Sequence, residues 1–193
     1  DAGRKICILS DLAWGREVRP EDISIQGISH LDLKDVDIAS KAGYRVKLLG
    51  RALRLEDGRQ AAYVAPHLVP EDCPIAPVDD VFNAIMIRGN AVGDVMFYGR
   101  GAGDLPTASA VMGDVLDALA HRAKRRDLGW SESAPLIRQE QDLPLFWYLR
   151  SESAPEGGEK LAEGAYITGP LSVKDARELA EKVNAAALLP VLR

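Results

Sequence analysis

The chain has 193 residues, 47% hydrophobic and 27% charged, with a formal net charge of −5. That balance suits one domain, or one domain with a small appendage; it excludes whole-chain disorder and argues against nucleic-acid binding, which needs a basic face. No apolar run approaches the roughly 20 residues a membrane helix requires, and only two cysteines are present, Cys7 and Cys73, both in apolar surroundings. Two such thiols point to a reducing, cytoplasmic setting and not to a disulfide framework.

In chain order, residues 1–14 place Ile6, Leu9, Leu12 and Ala13 on one helical face and Asp1 with Lys5 on another, with Gly15 as the stop. The chain therefore opens inside a helix, without a methionine, as a fragment would. A short strand is expected around Ile23–Ile28, then a polar helix over Lys34–Ala42 closed by Gly43. Tyr44–Leu55 and Gln60–Val69 have the pattern of two antiparallel strands around the turn Glu56-Asp57-Gly58-Arg59. Pro66, Pro70, Pro74 and Pro77 should break regular structure. A second hairpin follows, Phe82–Ile87 with Val92–Tyr98 around Arg88-Gly89-Asn90-Ala91. Pro106 then opens a helix with an apolar stripe of Ala108, Val111, Met112, Val115 and Leu119 that fades near Arg122.

Residues 123–142 have mixed charge and no stable period, as in a linker. Beyond them Leu143–Arg150 reads as a strand, Ser151–Gly164 as a polar loop and Ala165–Thr168 as a short strand. Ser172–Ala185 reads as a helix with Ser172 and Asp175 in capping-box positions, and Leu188–Arg193 as a last strand that Pro190 would place at a sheet edge.

Three places could carry chemistry. In Arg100–Asp114 a strand end, three glycines (Gly99, Gly101, Gly103) and a helix start coincide. Such a loop lets a backbone approach a ligand closely, and the helix start offers free N–H groups to a phosphate, a carboxylate or a nicotinamide carboxamide. It is not a full dinucleotide fingerprint, and a tight turn without a ligand is the simpler reading. Asp1 and Lys5, one helical turn apart, could place an ammonium beside an acid as a general acid for a carbonyl oxygen, although the same spacing serves ordinary surface ion pairs. His30, His67 and His121 are scattered without metal-ligand spacing, so no metal site is expected. The basic run Arg122, Lys124, Arg125 and Arg126 suits a solvated helix end, and Phe146, Trp130 and Trp147 suit core or interface positions.

The run Gly93–Asp114 resembles the glycine-rich stretch of homoserine dehydrogenases. Collinear pieces, Asp1-Ala2 with Lys5, Gly27-Ile28-Ser29, Gly43-Tyr44, Lys47-Leu48-Leu49 and Phe82-Asn83, extend the resemblance over residues 1–122. The resemblance implies an α+β fold: a mixed, largely antiparallel sheet with helices on one face, followed by a small partial ACT-like, ferredoxin-like α+β region. On that reading residues 1–122 are the catalytic domain, 123–142 a linker, and 143–193 a partial ACT-like regulatory or dimerisation region whose first helix and second strand are replaced by Ser151–Gly164. The implied reaction is NAD(P)H-dependent interconversion of L-aspartate 4-semialdehyde and L-homoserine, on the route to threonine and methionine. Lys5 would be the catalytic proton donor, Asp1 a substrate ligand, and Gly101 and Gly103 cofactor contacts. NAD(P) would be held mainly by an N-terminal Rossmann domain absent from this chain, leaving the chain alone inactive. A small-molecule substrate and a homo-oligomer are the expected partners, with no nucleic acid and no membrane. The alternative is a non-catalytic amino-acid-binding regulatory or dimerisation module.

Overall fold

The computed structural model describes residues 1–56, 58–122, 130–131 and 143–193. In chain order its elements are α1 (Ala2–Trp14), a 3-10 turn (Pro20–Asp22), β1 (Ser24–Ile25), α2 (Leu33–Lys41), β2 (Tyr44–Arg54) and β3 (Gln60–Pro70). After these come β4 (Phe82–Gly89), β5 (Gly93–Arg100), α3 (Asp104–Ala120), β6 (Leu145–Arg150), β7 (Glu159–Ala162), β8 (Ala165–Leu171), α4 (Val173–Lys182) and β9 (Ala187–Val191). Among the described residues, no helix is long and apolar enough to cross a membrane. Two compact units result, residues 1–70 with 128–193, and residues 71–127.

The first unit is built on one seven-stranded, mostly antiparallel sheet ordered β1-β3-β9-β6-β8-β7, with β2 on the other side of β3. The β2–β3 hairpin runs in unbroken register from Tyr44↔Pro70 to Arg54↔Gln60. β3 is buried along nearly its whole length, as expected of a strand covered on both faces. Its alternate residues divide the core. Ala61, Tyr63 and Ala65 pack with Trp147, Leu149 and Ala176 on the α4 side. On the other side, Leu68 meets Ala39 of α2, and Ala62 meets Cys7 of α1.

β3 runs straight through Pro66, where the sequence suggested a break. Val64 O accepts from Gln26 N, and Leu68 O accepts from Leu192 N. Backbone groups of these alternate residues thus face β1 and β9. Pro66 shares their orientation, and its missing N–H falls in the gap between the two partners, where no ladder bond is lost. Pro190 gives a similar correction. β9 is not an edge strand; it lies antiparallel to β6 and parallel to β3. The proline nitrogen faces β3, against which pairing is confined to Leu68↔Val191.

The strands of residues 143–193 therefore share a sheet with those of residues 1–70, and the chain divides after residue 70 as well as within the expected 123–142 linker. Within them the order β9-β6-β8-β7, antiparallel throughout, is that of a ferredoxin-like βαββαβ sheet lacking its first helix. The segment read as a loop over Ser151–Gly164 contains β7, so the second strand is present. Its short, polar Glu-Lys-Leu-Ala sequence has little strand pattern of its own; its ladder comes from β8. α4 starts as its sequence predicts, with Ser172 Oγ accepting from Asp175 N and donating to the Asp175 carboxylate.

The second unit consists of the β4–β5 hairpin, in register from Phe82↔Arg100 to Gly89↔Gly93, followed by α3. Arg88 clamps Asp94 across the hairpin with two hydrogen bonds of 2.7 and 3.0 Å, which holds the Asp94 carboxyl below its ordinary pKa. The expected apolar stripe of α3 forms, yet no residue of this helix is buried: Val111, Met112, Val115, Leu116 and Leu119 are all exposed. Cys73 is half-buried, not buried like Cys7, and Trp130 is exposed. Lys124, Arg125 and Arg126, and most of the expected linker, lie outside the described residues.

Candidate functional site

Lys5 and Asp1 sit at the start of α1. Asp1 is its N-cap residue, but its carboxylate makes no capping bond; it reaches Lys5 Nζ instead, at 2.6 Å, with both side chains largely exposed. At its other end Gly15, in the left-handed conformation, returns its N–H to Asp11 O. The helix buries Gly3, Cys7, Ser10 and Asp11, while Leu12 is exposed. The expected apolar face is thus not the buried one. Close approach decides this. A side chain on Gly3 would strike Ile25, and one on Gly50 would lie 3.1 Å from Ile6 Cβ, so small residues line the contact. Asp11 is kept in this interface by Val18 N, which donates to its carboxylate at 2.7 Å; burial raises the pKa of both Asp11 and Cys7. The consequence for Lys5 is orientation. Packing fixes the opposite side of α1, so the ammonium projects outward with an acid beside it, able to meet a polar substrate.

Gly101 and Gly103 occupy the loop between β5 and α3. Gly103 is the N-cap of α3 at φ +114° and makes no side-chain cap, while Thr107 bonds Gly103 O through both its N–H and its hydroxyl. The leading N–H groups of a 17-residue helix thus meet a loop almost devoid of side chains. This donor set fits the polar end of a cofactor. Asp104 in the first turn opposes a full negative charge, so a neutral acceptor such as a carboxamide suits the place better than a phosphate.

Two polar networks were not visible in the sequence. Asp35 of α2 is buried, and its carboxylate accepts from Tyr148 Oη at 2.7 Å, Arg150 Nε at 2.6 Å and an Arg150 terminal nitrogen at 3.1 Å. Arg150 also reaches the N-cap residue Asp32 at 2.9 Å. The carboxylates hold the guanidinium even more firmly protonated than usual, and burial together with Asp35 pushes the Tyr148 phenol upward. Separately, His67 of β3 has no exposed surface. Its Nδ1 donates to Ala65 O at 2.9 Å and its Nε2 accepts from Tyr63 Oη at 3.1 Å, a tautomer assigned from these partners. Burial brings its pKa down to about 4, so the ring is neutral at physiological pH. Of these residues only His67 stood out in the sequence, as a histidine without metal-ligand spacing; its partners Tyr63 and Ala65 lie on the same strand, whereas the Asp35 network joins positions more than a hundred residues apart.

A family model described as homoserine dehydrogenase matches residues 1–116. Curated homoserine dehydrogenases from Neisseria gonorrhoeae and Helicobacter pylori are 37% and 35% identical to the chain, each over 82% of it. These matches span 38% and 37% of the two relatives. Among solved structures, a homoserine dehydrogenase from Thiobacillus denitrificans superimposes with a TM-score of 0.83 at 27% identity, covering 99% of this chain and 52% of that one. A Staphylococcus aureus homoserine dehydrogenase at pH 6.5 gives 0.73 at the same identity, covering the whole chain and 52% of its own. The chain thus spans about half or less of the proteins it matches.

Proposed function

Because the chain belongs to the homoserine dehydrogenase family, we propose that it is the catalytic half of an enzyme interconverting L-aspartate 4-semialdehyde and L-homoserine, in the biosynthesis of threonine and methionine. The observation that carries this reading is the outward-facing Lys5–Asp1 pair on a helix packed through its opposite side. When bound, the nicotinamide of NAD(P) supplies or accepts the hydride. Reduction of an aldehyde leaves negative charge on the substrate oxygen. Lys5 Nζ, placed at that oxygen, stabilises the charge and donates the proton; in the reverse direction it receives the proton back. Asp1 orients the ammonium and receives the substrate's own amino group. Backbone at Gly101 and Gly103, with the N–H groups opening α3, would hold the cofactor's carboxamide, and the remainder of NAD(P) would be bound outside this chain. By itself the chain is expected to turn over no substrate.

Joining this chain to the nucleotide-binding half of a homoserine dehydrogenase should give homoserine-dependent reduction of NAD(P). Lys5→Ala should lower kcat by about 10²–10⁴-fold, the range for loss of a positioned general acid. Retention of more than a tenth of the activity would remove Lys5 from this role.

We also propose a partial ACT-like character for residues 143–193, supported by the β9-β6-β8-β7 order, and a homo-oligomer that covers the apolar side of α3, supported by its uncovered stripe. A cytoplasmic setting is expected for such an enzyme. If the C-terminal strands instead form an amino-acid-binding module, calorimetry with threonine will show saturable binding; absence of heat removes that alternative.

A further inference from the structure

Gly101 and Gly103 are glycines for different physical reasons. At φ +114° Gly103 adopts a backbone conformation that side chains disfavour. The Gly101 backbone lies outside that range, so conformation does not demand glycine there. Its neighbour occupies the space instead: a Cβ on Gly101 would collide with the side-chain amide of Asn83 and lie 3.1 Å from Asn83 Cβ, so one of the two must shift. Asn83 belongs to the hairpin ladder. It pairs with Gly99 in the hairpin, and its Nδ2 lies 3.5 Å from Val81 O, the same carbonyl that accepts Gly101 N at 3.1 Å. Phe82, beside it, stacks on Tyr98 at 4.9 Å and carries the Arg100 guanidinium at 5.1 Å from its ring centre. The start of the glycine loop is thus braced from several directions, with Asn83 filling the volume that a side chain at position 101 would occupy.

We propose that Asn83 is the positioning residue of the glycine loop. It seats the first peptide of the loop against the hairpin, so that the loop presents bare backbone to the ligand. The proposal rests on the reading, given above, that this loop contacts the cofactor. Its signature is a coupling between two positions eighteen residues apart. Gly101→Ala drives the loop off Asn83, and shortening Asn83 gives the added methyl room. Rescue should be fuller with Asn83→Gly than with Asn83→Ala, whose remaining Cβ still lies close. Gly103→Ala is strained by its own backbone, and no change at Asn83 should rescue it.

The test uses the complete enzyme built on this chain, with NADPH or NADH as the varied substrate. Gly101→Ala should raise the cofactor KM by about tenfold or more while far-UV circular dichroism stays unchanged, and Asn83→Gly with Gly101→Ala should return it to within about threefold of Asn83→Gly alone. Additive effects, or a KM untouched by Gly101→Ala, overturn the proposal. Amide exchange in the 193-residue chain gives a second readout independent of catalysis. Gly101→Ala should speed exchange of the residue 101 amide bonded to Val81 O, and Asn83→Gly should slow it again. An inactive wild-type enzyme would count against the proposed reaction, whereas uncoupled exchange would count against Asn83.

Discussion

Replacing Arg150 by methionine keeps most of the side-chain volume in β6 and removes the guanidinium from Asp35. The Asp35 side chain is 2% exposed, and of the three hydrogen bonds its carboxylate accepts, two come from Arg150. The variant leaves a buried carboxylate that still accepts from the Tyr148 hydroxyl at 2.7 Å. Breaking a buried pair from one side costs about 3–5 kcal/mol, because the stranded charge keeps its desolvation penalty. Arg150 retains 19% exposure, so water screens part of the pair, and the lower figure, about 3 kcal/mol, applies. In a protein of this size that corresponds to a fall in Tm of roughly 6–12 °C. Urea unfolding followed by tryptophan fluorescence is a suitable assay, since Trp147 lies buried on the same strand. Arg150→Met with Asp35→Asn should lose less than the sum of the two single changes, by about 1–3 kcal/mol. A loss below about 1 kcal/mol for Arg150→Met, or strict additivity, would refute the claim that the pair carries the junction between α2 and β6.

Two further outcomes follow from groups already described. His67 is held near pKa 4 when folded and returns to about 6.5 when unfolded. Its contribution is complete above pH 6.5 and is lost as pH falls to 4, because the unfolded chain takes up the proton first. The loss amounts to about 3 kcal/mol over that window, and denaturant titrations should show His67→Phe with a shallower slope there than wild type; equal slopes would refute the assignment. For α3, Val111→Glu with Met112→Glu should shift the complete enzyme toward monomer in sedimentation velocity without altering its helix content, and an unchanged mass would show that this face is covered by something other than a second copy.

Local pattern carried much of the fold. The β2–β3 hairpin, the start of α4 at Ser172 and the glycine loop before α3 each announce themselves within a few residues, through turn chemistry, capping side chains and periodicity. Asp1 and Lys5 were legible for the same reason, one helical turn being a local relation. What escaped depends on distant partners. β7 is a strand because β8 lies beside it, Pro190 is tolerated inside the sheet because of where β3 begins to pair, and α1 buries its small residues because β2 approaches closely at Gly50. Asn83 carried no sign of its relation to Gly101, since the hairpin register brings the two together. The Asp35–Arg150 pair spans 115 positions, beyond the reach of any periodicity.

The position of β9 bears on how the chain comes to its final form during synthesis. β3 and β6 do not pair with each other; each is joined to the other through the strand that spans Ala187–Val191. A nascent chain can close its first hairpin early, but it cannot connect the two parts of the sheet until those residues have left the ribosome. Until then β3 has one flank open over part of its length and β6 lacks one neighbour, the kind of unpaired edge that other chains can capture. Deleting residues 187–193 should therefore cost far more than their number suggests: it opens a seam down the middle of the sheet instead of trimming its border.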